Sequence, residues 1–170
     1  CGGPLDAASG IILSPSNLPG WDRVPIKNRI EAQMDVPARL MNDADANALA
    51  EWRWGAGRGC NDFAYLTFGT GLGAGLILNG RLHTGPRNLA GEIGHIRAAE
   101  HGPAGHGKEA SFESFASGGS MPRLLQYLAE TEDYTSALLS EPNLSAARIS
   151  GAARAGDPLA RRALEVCADY

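Results

Sequence analysis

The sequence lacks the features that mark several common classes of protein. Its lysines and arginines are scattered and its formal net charge is −4, whereas a nucleic-acid-binding protein normally carries a basic stripe. It has no apolar run of about 18 residues, the length that a membrane-spanning helix needs. It also opens without a signal-peptide pattern. We therefore expect neither a membrane nor a nucleic-acid partner from these residues.

Cysteine is scarce as well. The chain has three cysteines, Cys1, Cys60 and Cys167, which lie far apart and show no metal-site spacing. An odd number of widely separated cysteines is typical of a reducing compartment, because disulfide frameworks use cysteines in pairs. The sequence therefore predicts a cytoplasmic protein with three unrelated thiols.

The length and composition are those of a globular protein. The chain has 170 residues, of which 44% are apolar, enough for one domain or two small lobes with a hydrophobic core. It starts at Cys1 rather than at a methionine and stops at Tyr170 within an amphipathic helical pattern that has no stop signal. We therefore expect it to be a piece of a longer protein.

Hydrophobic patterning predicts a mixed α/β protein. Asn79-Gly80 separates two apolar runs and predicts a tight hairpin, since both residues tolerate a positive φ. The predicted strands lie at 10–14, 36–41, 63–68 and 74–78, and the predicted helices at 24–35, 42–52, 121–131, 144–155 and 157–170. The order is strand, helix, strand, helix, β-meander and further helices, which is typical of an α/β or mixed α+β sheet.

A glycine-rich turn, Gly69-Thr70-Gly71-Leu72-Gly73, follows the strand at 63–68. Backbone N–H groups in such turns form concave anion-binding sites, so the turn is a candidate phosphate site. It is not a P-loop, because no lysine follows the last glycine, and a Rossmann fingerprint is excluded because a strand rather than a helix follows.

Asp43 lies where the predicted strand at 36–41 passes into a predicted helix. Ligands of open α/β sheets bind at such junctions, and the positive end of the helix dipole stabilises a carboxylate. Asp43 can therefore be an ionised group that accepts a proton from a hydroxyl. It can also be the N-cap of the helix, which is the commoner role of an Asp at such a position, and both interpretations stay open at this point.

Two further groups of residues have more than one interpretation. Asn17 lies between Pro15 and Pro19, in either a rigid surface connection or a loop at the mouth of a cleft. Glu92 and His95 lie three residues apart among glycines, as a metal pair, an acid–base pair or a pair that binds sugar hydroxyls. His101 and His106 add imidazoles for a metal, but this segment has no thiols, and zinc prefers four ligands.

Together these motifs resemble those of the ROK family (repressors, open reading frames and sugar kinases), a branch of the actin-like ATPase superfamily. The resemblance spans nearly the whole chain. Its segments are Gly3-Pro4-Leu5-Asp6, Asn17-Leu18-Pro19-Gly20-Trp21, Asn42-Asp43-Ala44-Asp45-Ala46, Gly69 to Gly75 with Asn79-Gly80, Ala90 to His95, Glu113 with Ala116-Ser117-Gly118, and Gly156 to Ala160. It implies a partial ribonuclease H-like (actin-like ATPase) fold, of class α/β, with a mixed sheet, a β-meander and C-terminal helices.

The resemblance also implies a reaction, the phosphorylation of a hexose at its 6-hydroxyl by ATP with Mg²⁺. Asp43 would be the general base, and glucose or an N-acetylated hexosamine would be the substrate. The residues implied to bind the sugar are Asn17, Asn42, Glu92, His95 and Glu113, and those implied to bind the ATP phosphates are Gly69, Thr70, Gly71 and Gly73. Residues 1–60 would end the small N-terminal lobe, and residues 61–170 would begin the large C-terminal lobe.

The chain departs from the family pattern in its zinc loop. The family carries three cysteines there, and the aligned positions hold Ala104, His106 and Ser111. Only His95 and His106 retain ligand atoms, as weak candidates, and the loss of the thiolates should abolish tight tetrahedral zinc binding. We expect a loop without zinc, held by packing and hydrogen bonds.

The family's first phosphate loop and its adenine-binding segment are missing from these residues. We therefore expect the 170 residues alone to bind ATP poorly and to be inactive. The resemblance also implies that the full-length protein is a homo-oligomer, namely a dimer. An alternative is the sugar-sensing domain of a ROK transcriptional repressor, which would carry a winged helix-turn-helix upstream. Intact Asp43, Glu92 and His95 favour the kinase. A third interpretation is a catalytically dead oligomerisation fragment.

Overall fold

The computed structural model describes residues 1–15, 18–105 and 107–170. The helices of these ranges are α1 (Ile26–Met34), α2 (Asp43–Trp54), α3 (Phe112–Ala116), α4 (Met121–Thr131), α5 (Ala146–Ala155) and α6 (Pro158–Asp169), with 3-10 helices at Ile93–His95 and Ala137–Ser140. The strands are β1 (Leu5–Asp6), β2 (Ile11–Ile12), β3 (Phe63–Phe68), β4 (Leu72–Leu78), β5 (Arg81–Leu82), β6 (Ala104–Gly105) and β7 (Lys108–Glu109). The predicted mixture of strands and helices is confirmed. None of the described helices is both long and apolar enough to cross a bilayer.

The predicted meander is confirmed as a sheet of three strands in the order β3-β4-β5. Strands β4 and β5 are antiparallel, with Leu78 opposite Arg81. Asn79 and Gly80 join them with φ values of 52° and 67°, the left-handed conformations that the hairpin prediction requires. Strand β4 starts at Leu72, two residues earlier than predicted, so the glycine turn between β3 and β4 comprises only residues 69–71.

The predicted strand at 36–41 is wrong. Pro37 has no N–H to donate to a ladder, and within the described ranges no other strand pairs with this segment. Its end is instead held by the first residue of the chain. The amino group of Cys1 donates to the Met41 carbonyl oxygen at 3.3 Å, and the Cys1 carbonyl oxygen accepts from the Asp43 N–H at 3.1 Å.

The chain divides into two compact units. The first comprises Cys1–Leu66 and Ala74–Gly91, and the second comprises Thr67–Gly73 and Glu92–Tyr170. This division follows from the contacts within these residues. The lobe boundary between residues 60 and 61 stays a prediction.

In the first unit, α2 lies close to β4 at Gly75. Ala44, Ala48, Ala74 and Ile77 are all buried. A Cβ atom on Gly75 would overlap the Ala44 carbonyl oxygen and the Ala48 Cβ, so only glycine allows the helix to lie this close to the strand. The position of the N-terminus of α2 therefore depends on Gly75.

The second unit has a helical core formed by α3 to α6. The helix predicted at 121–131 has those bounds, and its predicted apolar side chains are buried: Leu124, Leu125 and Leu128. Gly156 ends α5 at a φ of 101°, and the Asp157 Oδ1 caps α6 by accepting from the Ala160 N–H at 2.8 Å. These boundaries confirm the punctuation predicted from Gly156-Asp157-Pro158.

Candidate functional site

The N-terminus of α2 carries the two candidates of the first unit. Asn42 is the N-cap, and its Oδ1 accepts from the Ala44 N–H at 2.8 Å. Asp43 is the first helical residue, and its Oδ1 lies 3.0 Å from the same N–H. Because Asn42 is the cap, the exposed Asp43 carboxylate stands in the first turn, where the helix dipole favours a negative charge.

The second unit contains the remaining described candidates. Asn17 and His106 lie outside the described residues. The phosphate turn and the candidates Glu92, His95 and Glu113 all belong to this unit. Asn42 and Asp43 belong to the first.

Glu92 and His95 form a pair at the 3-10 helix Ile93–His95. The Glu92 Oε2 lies 3.6 Å from the His95 Nε2, and the two side chains are 41% and 39% exposed. The exposed pair presents a carboxylate acceptor beside an imidazole, a combination that suits the hydroxyls of a sugar. Gly94 between them is buried, and a Cβ there would overlap the Leu72 carbonyl oxygen. Glycine thus allows the backbone of the pair to lie against the start of β4.

Glu113 is the second residue of α3 and is only 9% exposed. The helix begins at Phe112 because Ser111 caps it, with the Ser111 Oγ accepting from the Ser114 N–H at 3.3 Å. The Glu113 Oε2 accepts from the Leu72 N–H at 2.8 Å. Glu113, a candidate sugar-binding residue, is therefore hydrogen-bonded to the residue that follows the phosphate turn.

The phosphate turn is held from its other side by the segment after α3. The Gly118 N–H donates to the Gly69 carbonyl oxygen at 2.8 Å, and the Gly119 N–H donates to the Thr70 carbonyl oxygen at 3.0 Å. Gly69 and Thr70 are exposed, and a Cβ on Gly69 would meet no atom within 4 Å. The turn thus has room on its outer side for an anion. Gly73, predicted as part of this turn, lies in β4.

The described part of the loop aligned with the family's zinc site contains the antiparallel strand pair β6 and β7. Ala104 pairs with Glu109 and Gly105 with Lys108, and Ser111, at the third cysteine position, caps α3. The Ala110 N–H donates to the Pro103 carbonyl oxygen at 3.2 Å. In the parts of the chain that the structure describes, no cluster of three or more His, Cys, Asp or Glu side chains is placed to hold a metal ion. The absence of zinc stays a prediction.

The sequence-based predictions missed the contacts that fix the phosphate turn. Leu72, Gly118 and Gly119 form them, and Gly94 packs against the same place. The glycine density of the segment was a signal that some group comes close. Nothing in the sequence showed that the group is another part of this chain.

Comparison with known proteins places these motifs. The model of the ROK family matches residues 1–170. The glucokinase of Streptomyces coelicolor is 35% identical over 147 residues, which cover 82% of this chain and 46% of that protein. The N-acetylmannosamine kinase of Escherichia fergusonii is 40% identical over 120 residues, which cover 66% of this chain and 41% of that protein.

Two solved structures extend the comparison. A ROK family glucokinase from Streptomyces griseus, in complex with glucose and AMPPNP, matches with a TM-score of 0.70 at 34% identity, over 94% of this chain and 53% of that one. A ROK family transcriptional regulator, a homologue of the E. coli MLC protein, matches with a TM-score of 0.72 at 26% identity, over 98% of this chain and 42% of that one.

The chain spans about half the length of the curated relatives that it matches, for example 46% of the Streptomyces coelicolor glucokinase. The similarity nevertheless extends over all the motifs described above, in both units. The predicted fold class, a partial ribonuclease H-like (actin-like ATPase) fold of mixed α/β type, is confirmed. The chain belongs to the ROK family.

Proposed function

We propose that the full-length protein is a hexose kinase that transfers the γ-phosphoryl group of ATP to the 6-hydroxyl of glucose or an N-acetylated hexosamine. The observation that carries this proposal is the Asp43 carboxylate. It is exposed in the first turn of α2, immediately after a separate residue that caps the helix. An ionised carboxylate in that position is suited to accept a proton from a substrate hydroxyl.

The other candidate residues supply positioning. Asn17, Asn42, Glu92, His95 and Glu113 bind the sugar hydroxyls in this proposal. Gly69, Thr70, Gly71 and Gly73 hold the ATP phosphates in this proposal. The N–H groups of the last three are the donors, because the Gly69 N–H donates to the Gly71 carbonyl oxygen at 3.0 Å, and Gly69 contributes the open space beside it. Phosphoryl transfer requires little covalent chemistry from a protein, so placing the hydroxyl and phosphate in line and stabilising charge are the main contributions.

Magnesium is expected to accompany ATP, because it commonly binds through substrate phosphates, waters and one or two carboxylates. The described residues contain no cluster of three or more potential ligand side chains, so they form no protein cage for the ion. The proposed roles therefore belong to the side chains and backbone of this chain alone. We propose no zinc site.

We also propose a cellular compartment and an oligomeric state for the protein. Three free cysteines, of which Cys1 and Cys60 are exposed, favour a reducing, cytoplasmic setting. We propose a homodimer for the full-length protein. The 170 residues alone are expected to be inactive, and measurable hexose kinase turnover by them would contradict this expectation.

A second candidate function is the sugar-sensing domain of a transcriptional repressor. The similarity to a ROK family transcriptional regulator over 98% of this chain favours it. The full-length sequence distinguishes the two candidates. A phosphate loop N-terminal to these residues supports the kinase, and a DNA-binding domain in that place supports the repressor.

The test of the proposed function is a coupled kinase assay of the full-length protein against a panel of hexoses. We expect turnover on glucose or an N-acetylated hexosamine, and a fall of about 10²-fold or more for Asp43→Asn, because general base catalysis contributes about 10²–10⁴. Asp35→Asn, the same change at an exposed residue, is the matched control and should keep its rate. An Asp43→Asn variant with full rate would exclude Asp43 as the base.

A further inference from the structure

The Glu113 side chain is in direct contact with the phosphate turn. Its Oε2 accepts from the Leu72 N–H at 2.8 Å, and a Cβ built on Gly71 would come within 2.6 Å of that same oxygen. The buried carboxylate therefore touches the phosphate turn at its last residue and at the first residue of β4. There is no spare room between the carboxylate and the turn.

The same turn is bonded to the far end of α3. Gly118 and Gly119, just after the helix, donate their N–H groups to the carbonyl oxygens of Gly69 and Thr70. The helix between these contacts is only five residues long, Phe112–Ala116. A displacement of α3 must therefore move the phosphate turn, because the turn is bonded to residues at both ends of the helix.

The Glu92–His95 turn meets the same place. A Cβ on Gly94 would overlap the Leu72 carbonyl oxygen and lie 3.1 Å from the Glu113 Cβ. The three parts in contact are the backbone between Glu92 and His95, the start of β4 and the first turn of α3. A ligand that orders one of them restricts the other two, since close-packed groups cannot shift independently.

The burial of Glu113 makes the loss of its hydrogen bond to Leu72 costly for stability. A carboxylate that is 9% exposed requires hydrogen bonds, and a bond between a carboxylate and a backbone N–H is stronger than one between neutral groups. Removing the acceptor would leave the Leu72 N–H buried without this partner, which costs more than a solvated bond would. Gln can replace the acceptor oxygen, whereas Ala cannot.

We propose that Glu113 is a positioning residue that couples sugar binding to the geometry of the phosphate turn, so that a bound hexose tightens the binding of the nucleotide. The inference rests on the proposed kinase function and adds a coupling between its two substrates. The sugar orders Glu113 and the Glu92–His95 turn, and the Leu72 contact passes that order to the turn that holds the phosphates.

The test measures the dissociation constant of AMPPNP by calorimetry on the full-length protein, without sugar and with a saturating amount of the hexose that it phosphorylates fastest. We expect the hexose to tighten AMPPNP binding at least about fivefold, the lower end of common coupling factors. Glu113→Ala should abolish this ratio, and Glu113→Gln should retain most of it. Glu92→Ala, which removes the partner of His95, should weaken sugar binding but keep the ratio at saturation.

A second pair of variants approaches the contact from the turn. Gly71→Ala should reduce the ratio, because its methyl group would displace the Glu113 carboxylate. Gly69→Ala is the matched control in the same turn, since its methyl group would meet no atom within 4 Å. It should retain the ratio, whatever it does to the affinity for the nucleotide itself.

The outcomes separate the two levels of the proposal. A wild-type protein without turnover on any hexose would overturn the proposed function and this inference with it. An active wild type in which the hexose leaves AMPPNP affinity unchanged would overturn the coupling alone, as would a Glu113→Ala variant with the full ratio. If Glu113→Ala does not fold, Gly71→Ala and Gly69→Ala decide, and equal ratios in these two variants would overturn the coupling.

Discussion

The two compact units hold their candidate residues by different means. In the first unit, the side-chain oxygens of Asn42 and Asp43 accept from the Ala44 N–H, within two residues of themselves, and the Asp43 backbone makes a distant bond, to the Cys1 carbonyl oxygen. In the second unit, the Glu113 carboxylate bonds to a residue 41 positions away in the sequence. A local contact forms wherever its helix forms, whereas the distant contact requires the folded unit. Local contacts therefore fix the conformation of a candidate side chain, and long-range contacts fix its place in the folded unit.

The first unit also contains a long-range contact, the close approach of β4 to α2 at Gly75. Disrupting this contact should have the largest effect on stability. Gly75→Ala would push a methyl group into the Ala44 carbonyl oxygen and the Ala48 Cβ, so we expect a loss of about 1–3 kcal/mol in the free energy of unfolding. Chemical denaturation of the full-length protein measures it. The activity of the folded fraction is measured alongside. If this activity also falls, the position of α2 matters for the role of Asp43.

The matched control for this change is Gly151→Ala. Gly151 is exposed in α5, and a Cβ there would meet no atom within 4 Å. Alanine in an exposed helix interior should raise stability by about 0.5–1 kcal/mol. If both variants changed stability in the same direction, close packing at Gly75 would not be the cause.

Two helix caps sharpen the comparison between local and distant contacts. Asn42 caps α2 locally, whereas Asp157 caps α6 and also accepts from the Ser136 Oγ at 2.6 Å, 21 positions away. We expect Asn42→Ala to cost about 1 kcal/mol and Asp157→Ala about 2 kcal/mol, because the second variant also loses a part-buried hydrogen bond. Thermal unfolding of the two variants measures the difference.

The controls exchange the two capping residues. Asn42→Asp and Asp157→Asn keep a capping oxygen and should restore most of the stability, since Asn and Asp are equivalent caps. Ser136→Ala should cost at least the difference between the two alanine variants, because it also removes the oxygen that accepts from the Leu138 N–H at 3.1 Å. Equal losses for Asn42→Ala and Asp157→Ala would show that the distant contact adds nothing.

The same distinction explains which parts could be predicted from the sequence. The helix at 121–131, the Asn79-Gly80 hairpin and the Asp157 cap depend on neighbouring residues, and all three are confirmed. The strand at 36–41 was wrong because strand formation needs a partner, which a local apolar pattern does not supply.

The glycines show the limit of sequence reasoning most directly. Their density predicted that other groups come close, and at Gly71, Gly75 and Gly94 those groups are parts of this chain. Gly69 alone among these four has open space beside it. A pattern of glycines identifies places of close contact, but only the fold distinguishes a packing contact from room for a ligand.

The smallest expected effect concerns a contact that is long-range but exposed. Glu132, at the end of α4, accepts two hydrogen bonds from Arg162 of α6, at 2.8 and 3.0 Å. Hydrogen bonding to the guanidinium is the main cause that lowers the pKa of Glu132 below its ordinary value of 4.5. Because both side chains are about one third exposed, solvent weakens the pair, and Glu132→Gln should lower Tm by no more than about 2 °C near neutral pH.

The pH dependence has a definite sign. Since the folded-state pKa of Glu132 lies below the unfolded-state value, its contribution is fully present above the unfolded-state pKa and disappears as the pH falls through the folded-state pKa. The Tm difference between wild type and Glu132→Gln should thus be present near neutral pH and vanish at acid pH, below the folded-state pKa of Glu132. Glu130→Gln, at an exposed position of α4, is the control. A Tm difference for Glu132→Gln that persisted at acid pH would mean that packing rather than charge carries the contribution of Glu132. The exposure of the pair would then not be what limits the stability gained from this long-range contact.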